Sequence, residues 1–383
     1  MHDCLIIGGG VIGLSLAYDL ALHGLRVCLV DRQQPGREAS WAGAGILPPM
    51  RYRSGDPPAH QLAAVSFDLH ARWAAELRES TGIDNGFRRC GAIYITRDES
   101  AEDESTATGK QDRTSKQERI GAMQRSGVRV EPLAPSDLNQ HEPNLTVNVT
   151  SDVTSALFVP EQAQVRNPRH LKALRVACES RGVDIRPYVA VEDFEVCGGR
   201  IESVITSQGR LAAGQFCLTA GCWTGGLAQR LGLTPTIKPI RGQIALLTGG
   251  ENILRHIIEV GRNYLVPRPD GHILVGSTEE DVGFNCQTTA EGIAGLLRLA
   301  LQLVPKLAGC HVERTWAGLR PGSTDSLPTI GPLPRLENAW IAAGHFRDGL
   351  LLSPGTAVVV SRLMRDVSAE VNLEPFQADR DSR

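Results

Sequence analysis

The 383-residue chain lacks any apolar run that approaches the roughly 20 residues a membrane-spanning helix needs. It also lacks an excess of basic residues, because its formal net charge is −3. We therefore expect neither nucleic acid nor a membrane as a partner. With 42% apolar and 22% charged residues, the composition is that of a soluble globular protein. The length suits two domains.

The cysteines are odd in number, at nine, and form no C-x-x-C pair. This pattern argues against a disulfide framework and against a zinc site, so we expect no metal. Several of them, such as Cys4, Cys28 and Cys217, stand in apolar runs of strand type, where a buried thiol is the simplest interpretation. A reducing cytoplasm fits this use of cysteine best.

The most informative stretch is CLIIGGGVIGLSLAYDLALHGLRVCLVD at residues 4–31, which reads as strand, glycine turn, helix, strand and acid. Gly8, Gly10 and Gly13 form G-x-G-x-x-G, which allows a tight turn, close approach to a pyrophosphate and close packing of the helix. Asp31 follows Gly8 by 23 residues, near the spacing expected of an acid on a ribose 2′-hydroxyl. The agreement of all parts predicts a bound dinucleotide, but it does not separate NAD from FAD.

Two other stretches carry glycine at informative places. Residues 39–46 are small and glycine-rich, which fits either a surface loop or backbone that runs close to a cofactor. The segment WIAAGHFRDGLLLSPGTAVVVSRLM at 340–364 reads as strand, glycine turn and helix. It would aim a second helix N-terminus at a negative group.

These segments resemble the D-amino-acid oxidase family of FAD-dependent oxidoreductases, and most closely its glycine oxidases. The resemblance rests on REASWAGAGILPP after the dinucleotide fingerprint and on HFRDG near the C-terminal end, and it covers nearly the whole chain. It implies an α/β fold with a Rossmann-like FAD-binding domain and a second, mainly antiparallel β substrate domain. The glycine turn and the resemblance together imply FAD contacts from Gly8, Gly10, Val11, Ile12, Gly13, Asp31, Arg32, Ala39, Ser40, Ala44, Gly45, Ile46, Val189, His345, Phe346, Arg347, Asp348, Gly349, Leu350 and Leu351.

The domains are expected to be discontinuous. We assign 1–85, 150–230 and 320–370 to the FAD-binding domain, and 86–149 with 231–319 to the substrate-binding domain. Residues 97–117 contain no apolar residue except alanine and cannot offset the entropy of ordering, so we expect a mobile polar insertion. Alternating apolar residues in 237–247, followed by short strands and a Pro-Asp-Gly turn, predict an antiparallel sheet.

Three residues match the family's substrate-binding positions: Arg320 in AGLRPG, Tyr264 in NYLVPR and Arg347 in HFRDG. A guanidinium can bind both oxygens of an amino acid carboxylate, and a tyrosine hydroxyl can add a third hydrogen bond. Considered alone, each arginine is better explained as a solvated surface residue and the tyrosine as a core residue. With the resemblance, we expect Arg320 to make the main ion pair beside Tyr264. Arg347 would be a second cation or a contact on the flavin side.

The resemblance implies oxidative deamination of glycine, sarcosine or a small D-amino acid. Hydride would pass to the flavin, the imine would hydrolyse to a 2-oxo acid, and oxygen would yield hydrogen peroxide. The resemblance also suggests thiamine thiazole synthesis and a homo-oligomer. Gly322 stands where sarcosine oxidases carry the cysteine that attaches flavin, so we expect noncovalent FAD. A dehydrogenase with a non-oxygen acceptor and a flavin-bound protein without turnover remain alternatives.

One residue departs from the family pattern. Glu279 in GSTEED stands where relatives tend to carry an apolar residue against the substrate. An extra carboxylate would repel an anionic substrate unless it meets the amine or turns away. The preferred amino acid therefore remains open.

Overall fold

A computed structural model describes residues 1–97, 117–146 and 153–380. The predicted mobile insertion at 97–117 lies almost entirely outside these described residues. None of the helices found in them combines the length and apolar character needed to cross a bilayer. The helices are Val11–Leu22 (α1), Ala39–Ala42 (α2), Pro58–Thr81 (α3), 117–125 (α4), Pro135–His141 (α5), Asn167–Ser180 (α6), Thr224–Gln229 (α7), Ala290–Leu303 (α8) and Gly349–Met364 (α9), with single 3-10 turns at Gly221–Trp223, Pro305–Gly309, Phe346–Asp348 and Glu374–Phe376.

Most strands belong to one of two large sheets. The strands are His2–Ile7 (β1), Val27–Asp31 (β2), Ile46–Leu47 (β3), Arg88–Arg89 (β4), Ala92–Arg97 (β5), Glu131–Leu133 (β6), Val153–Val159 (β7), Ala163–Gln164 (β8), Asp184–Pro187 (β9), Val191–Cys197 (β10), Arg200–Thr206 (β11), Gly209–Leu211 (β12), Ala213–Leu218 (β13), Ile237–Thr248 (β14), Ile257–Val260 (β15), Asn263–Pro267 (β16), Ile273–Gly276 (β17), His311–Ser323 (β18), Thr329–Pro332 (β19) and Ala339–Ala343 (β20).

The first sheet has the order β19-β20-β13-β1-β2-β9 and is parallel except at β19. Alternate residues of β1 face opposite layers, as the two-residue period of a strand requires. Cys4 and Ile6 pack toward α1, α3, α6 and α9, whereas Leu5 and Ile7 pack toward the small β10-β11-β12 sheet. Because both faces are covered, these strands are near-continuous apolar runs. From β1 the chain passes to β2 on one side and later to β13 on the other, which opens a crevice at their carboxyl ends.

The second sheet has the order β18-β14-β17-β16-β15-β5-β7-β6. All its pairs are antiparallel except β15 with β5. One face of β14 and β17 packs on the apolar side of α8, through residues such as Leu247 and Leu296. The predicted fold class, a Rossmann-like domain with a mainly antiparallel β domain, is confirmed.

One strand does not follow the predicted domain division. Strand β7 falls in the range assigned to the FAD-binding domain, yet it pairs with β5 in the second sheet. Strand pairing depends on the strand that lies alongside rather than on proximity in sequence. The sequence therefore did not show that β7 joins the second sheet. The division itself stays a prediction.

The nine cysteines are free thiols. Cys4, Cys28 and Cys217 are fully buried in the parallel sheet, as the apolar runs predicted. Burial raises the pKa of the Cys28 thiol to about 12, so this group is protonated and unreactive near neutral pH.

Candidate functional site

A cleft of about 610 Å³ lies where the carboxyl ends of β1, β2, β13 and β20 meet one face of β14, β16 and β18. Its volume is typical of sites for cofactors and other small molecules. The cleft is lined by Tyr264, Arg320 and Arg347 and by every predicted FAD-contacting residue except Gly13 and Leu351. The structure therefore brings together nearly all residues selected from the sequence.

The glycine turn lies at one wall of the cleft. Gly8 has a φ of +111°, and a Cβ there would lie 2.6 Å from the carbonyl oxygen of Thr219. A Cβ on Gly13 would lie 2.0 Å from the carbonyl oxygen of Gly8, so a glycine here allows α1 to pack closely on the turn. Gly13 itself does not line the cleft. The hydroxyl of Ser40 accepts a hydrogen bond from the Val11 N–H at 2.9 Å. The start of α1, with its exposed N–H groups and positive dipole end, is thus suited to a diphosphate.

Asp31 lies at the carboxyl end of β2, where an acid was predicted for a ribose. Its two carboxylate oxygens accept hydrogen bonds from the N–H groups of Gly9 (2.7 Å) and Gln33 (2.8 Å). Burial raises the pKa of Asp31, while these N–H groups oppose that effect by stabilising the charged form. Beside it, the Arg32 guanidinium lies 3.6 Å from the centre of the Trp223 ring. This end of the cleft combines a fixed carboxylate with a flat stacked surface.

The glycine-rich segment 39–46 passes close to two other parts of the chain. A Cβ on Gly45, whose φ is +76°, would lie 1.9 Å from the carbonyl oxygen of Val165. Arg268 is only 8% exposed, and its guanidinium donates to the carbonyl oxygens of Ala44 (2.6 Å) and Val165 (3.1 Å). Burial lowers the pKa of Arg268 to about 10, so it remains charged near neutral pH. This residue, which was not predicted, holds the segment in place.

Arg320 and Tyr264 reach the cleft by lying across glycines of the neighbouring strands. A Cβ on Gly242 of β14 would fall 2.3 Å from the Arg320 guanidinium, and a Cβ on Gly276 of β17 would fall 2.5 Å from the Tyr264 ring. The strand order β18-β14-β17-β16 makes the two side chains converge from opposite sides. The two glycines therefore provide the room in which a substrate carboxylate can meet both groups.

Ser277 lies at the point of convergence. Arg320 donates from Nη2 to the Ser277 hydroxyl at 2.6 Å and from Nη1 to the Thr278 carbonyl at 3.2 Å. Burial lowers the pKa of Arg320, and nearby Tyr264 and Glu279 oppose that effect, so the guanidinium stays protonated. Among the described residues no carboxylate lies within ion-pair distance of Arg320. A half-buried cation of this kind is suited to an anionic ligand.

Arg347, by contrast, has a carboxylate partner in the cleft. Its Nε donates to Oε2 of Glu279 at 2.9 Å, and Nη2 donates to the same oxygen. Next to this pair, Arg119 of α4 donates to Asp348 at 3.1 Å. Arg119 also lines the cleft and was missed, because no motif surrounds it in the sequence. Glu279 lines the cleft rather than turning away from it.

The second glycine turn leads into α9. Burial lowers the pKa of His345 to about 3, and its Nε2 lies 3.1 Å from the Thr356 hydroxyl, so it is a neutral, structural residue at the edge of the cleft. Leu351 points into the core and is 6% exposed, which explains its absence from the lining. Phe346, Asp348, Gly349 and Leu350 do line the cleft.

The turn after β13 was not among the predicted cofactor contacts, yet it forms another wall. Thr219, Ala220, Gly221 and Trp223 all line the cleft. The sequence signal that could have identified this wall is a strand followed by Ala-Gly-x-Trp at residues 220–223. A strand-helix turn with Trp223 in the core, which needs no ligand, fits the same pattern nearly as well.

These features fit FAD. Two helix starts and a carboxylate at the end of β2 match an adenine dinucleotide, and the two glycine turns place backbone where side chains would obstruct it. The signals at both ends of the chain thus converge on one cleft.

Comparison with known proteins agrees with this site. A family model described as FAD dependent oxidoreductase (DAO) matches residues 3–363. The chain is 34% identical to a glycine oxidase of Pseudomonas putida over 372 residues, which cover 97% of this chain and 96% of that protein. It is 31% identical to a bifunctional ThiO/ThiG protein of Nostoc sp., covering 100% of this chain and 55% of that protein.

A solved structure gives the same result. The crystal structure of glycine oxidase from Geobacillus kaustophilus superimposes with a TM-score of 0.88 at 29% identity, covering 99% of this chain and 98% of that chain. The predicted resemblance and the predicted cofactor, FAD, are confirmed. The chain accordingly belongs to the FAD-dependent oxidoreductase (DAO) family.

Proposed function

We propose that the protein oxidises glycine or another small amino acid, such as sarcosine or a small D-amino acid, to the 2-oxo acid, with oxygen as the acceptor and hydrogen peroxide as a product. The observation that carries this proposal is the half-buried Arg320 guanidinium, which converges with Tyr264 and has no carboxylate partner among the described residues. The likeness to glycine oxidases at 34% identity over nearly the whole chain supports it.

Arg320 is proposed to bind the substrate carboxylate. Its Nη atoms are held by Ser277 and Thr278, so the guanidinium is oriented before the ligand arrives. Such preorganisation reduces the entropy cost of binding. Burial raises the pKa of the Tyr264 hydroxyl, which therefore keeps its proton and can donate a further hydrogen bond to the carboxylate.

FAD, when bound, supplies the two-electron acceptor for the oxidation. The chain's own residues then act mainly by positioning, because they fix the carboxylate and with it the carbon that is oxidised. The positive end of α9 lies at the same part of the cleft as Arg347 and favours negative charge there. No side chain needs to act as a nucleophile.

We further propose that FAD is bound noncovalently. Gly322 offers no thiol at the position where sarcosine oxidases carry one. Cys222 lines the cleft, but burial raises its pKa to about 12 and its thiol donates to the Leu319 carbonyl at 3.2 Å. Acid precipitation should therefore release all yellow colour into the supernatant. Colour that remains in the protein pellet would contradict this proposal.

The acceptor is tested by oxygen consumption. We expect glycine or a small relative to consume oxygen with an equal amount of hydrogen peroxide formed. Flavin reduction by the amino acid without oxygen uptake would favour the alternative, a dehydrogenase with another acceptor.

The likeness to bifunctional ThiO/ThiG proteins supports a role in thiamine thiazole synthesis. A homo-oligomer in the cytoplasm is also proposed, and light scattering during size-exclusion chromatography tests the oligomer.

A further inference from the structure

The position of Glu279 relative to Arg320 suggests a second recognition element. Ser277 and Thr278 hold the Arg320 guanidinium through its two Nη atoms, and Glu279 is the next residue along the chain. Glu279 and Arg320 both line the cleft, and the charge of Glu279 acts on the pKa of Arg320. A cation and an anion thus line the same cleft, near enough for the charge of one to act on the other.

Among the residues that the structure describes, the hydrogen bonds to Glu279 end on one of its two carboxylate oxygens. The Nε and Nη2 groups of Arg347 both donate to Oε2. Oε1 has no hydrogen-bond partner within the part of the chain that the structure describes, and the side chain is 18% exposed. Arg347 therefore fixes the carboxylate in position and leaves one acceptor atom for a ligand.

We propose that Glu279 determines specificity by accepting a hydrogen bond from the substrate amine through Oε1. The inference rests on the proposed function, in which Arg320 binds the substrate carboxylate. The amine and carboxylate of an α-amino acid are separated by a single carbon, so neighbouring anionic and cationic groups complement such a zwitterion. The same carboxylate repels a ligand that carries a second acidic group there.

This role differs from a purely structural one. If Glu279 served only to hold Arg347, its replacement would change the affinity for all small carboxylates in the same direction. If it binds the amine, its replacement weakens ligands that carry an amine and spares or strengthens those without one. The contrast between two ligands of equal shape therefore separates the two roles.

Glycine and propanoate form such a pair, because propanoate carries a methyl group in place of the ammonium group. The dissociation constant of glycine is obtained from the concentration dependence of anaerobic flavin reduction, and that of propanoate from flavin absorbance changes. In Glu279→Gln holoenzyme we expect glycine to bind about tenfold more weakly, as for loss of a charge-assisted hydrogen bond. Propanoate should bind equally well or more tightly, because a repelling charge is removed.

A matched control is available two residues along the chain. Asp281 forms an exposed ion pair with Lys238 outside the cleft lining, so Asp281→Asn removes the same charge without changing the site. We expect it to leave both dissociation constants unchanged. Equal weakening of glycine and propanoate in Glu279→Gln, or unchanged glycine binding, would overturn the inference. Failure of glycine, sarcosine and small D-amino acids to reduce the wild-type flavin would instead overturn the proposed function, and this inference with it.

Discussion

His70 of α3 contacts the backbone of Leu350 at the start of α9, with its Nε2 3.0 Å from the carbonyl oxygen. Pro354 stands four residues further along α9 and has no N–H to bind that carbonyl. His70 therefore supplies a donor that the helix itself lacks, together with the Ser353 hydroxyl at 2.9 Å. Because Leu350 lines the cleft, a buried histidine in one helix positions the cofactor turn of another.

Replacement of His70 by phenylalanine should disturb this turn. The Leu350 carbonyl would lose a buried donor, which costs about 1–3 kcal/mol of the free energy of unfolding. We also expect weaker FAD binding, measured by fluorescence as free flavin is released on dilution. His70→Gln retains an N–H donor and serves as the control. Equal effects of the two variants would show that loss of this hydrogen bond does not cause the changes in stability and FAD binding.

The buried position of His70 also leads us to expect that the free energy of unfolding depends on pH. Burial disfavours the charged imidazolium and lowers the pKa of His70 from 6.5 to about 4, although the hydrogen bonds to the Leu351 and Leu350 carbonyl oxygens partly oppose this effect. Between these two values the unfolded chain binds more protons, so the free energy of unfolding falls as the pH is lowered through this window. Urea unfolding of wild type from about pH 7 to about pH 5 should therefore show a steeper loss than His70→Gln. Identical slopes would contradict the assignment.

Gly13 should tolerate no side chain. A Cβ at this position would lie 2.0 Å from the Gly8 carbonyl oxygen and 2.7 Å from the Thr219 hydroxyl, both of which belong to the turn around the cleft. We expect Gly13→Ala to purify without FAD or with greatly reduced FAD content, measured from the absorbance ratio of flavin to protein. Gly295→Ala is the control, because no atom lies within 4 Å of a Cβ there. A fully loaded Gly13→Ala protein would refute the packing argument.

Arg268→Met should loosen the glycine-rich segment 39–46, which lines the cleft. The carbonyl oxygens of Ala44 and Val165 would lose their buried guanidinium donor, at a cost of a few kcal/mol in stability. We expect a lower melting temperature and lower FAD affinity, measured by thermal denaturation and flavin titration. Arg169→Met removes an exposed arginine and should change neither. An unchanged melting temperature and FAD affinity in Arg268→Met would mean that other contacts hold segment 39–46.

Local patterns in the sequence predicted the elements that depend on local physics. Apolar residues at helical spacing from Val11 to Leu22, after the glycine turn, predict a helix, and α1 has these bounds. The amphipathic pattern from Thr288 to Leu307 likewise predicts a helix, but α8 ends at Leu303. Pro305 begins a separate 3-10 turn, because proline disrupts the preceding helical hydrogen bonds.

The contacts that hold the site residues in position escaped prediction, because they join residues far apart in the sequence. Arg320 needs Gly242 on the neighbouring strand for its position, and Arg268 contacts a segment more than 200 residues away. Neither relationship leaves a trace within a short window of sequence. Family resemblance located the cleft residues, whereas the way they are held became visible only in three dimensions.

The most direct test of the proposed function is anaerobic reduction of the bound flavin by glycine in wild type and in Arg320→Ala. We expect glycine to bleach the wild-type flavin and to bind about a hundredfold more weakly in Arg320→Ala, while FAD content is unchanged. Arg314→Ala, which alters an exposed arginine of the same strand outside the cleft lining, should behave as wild type. An unchanged dissociation constant for glycine in Arg320→Ala would contradict the account.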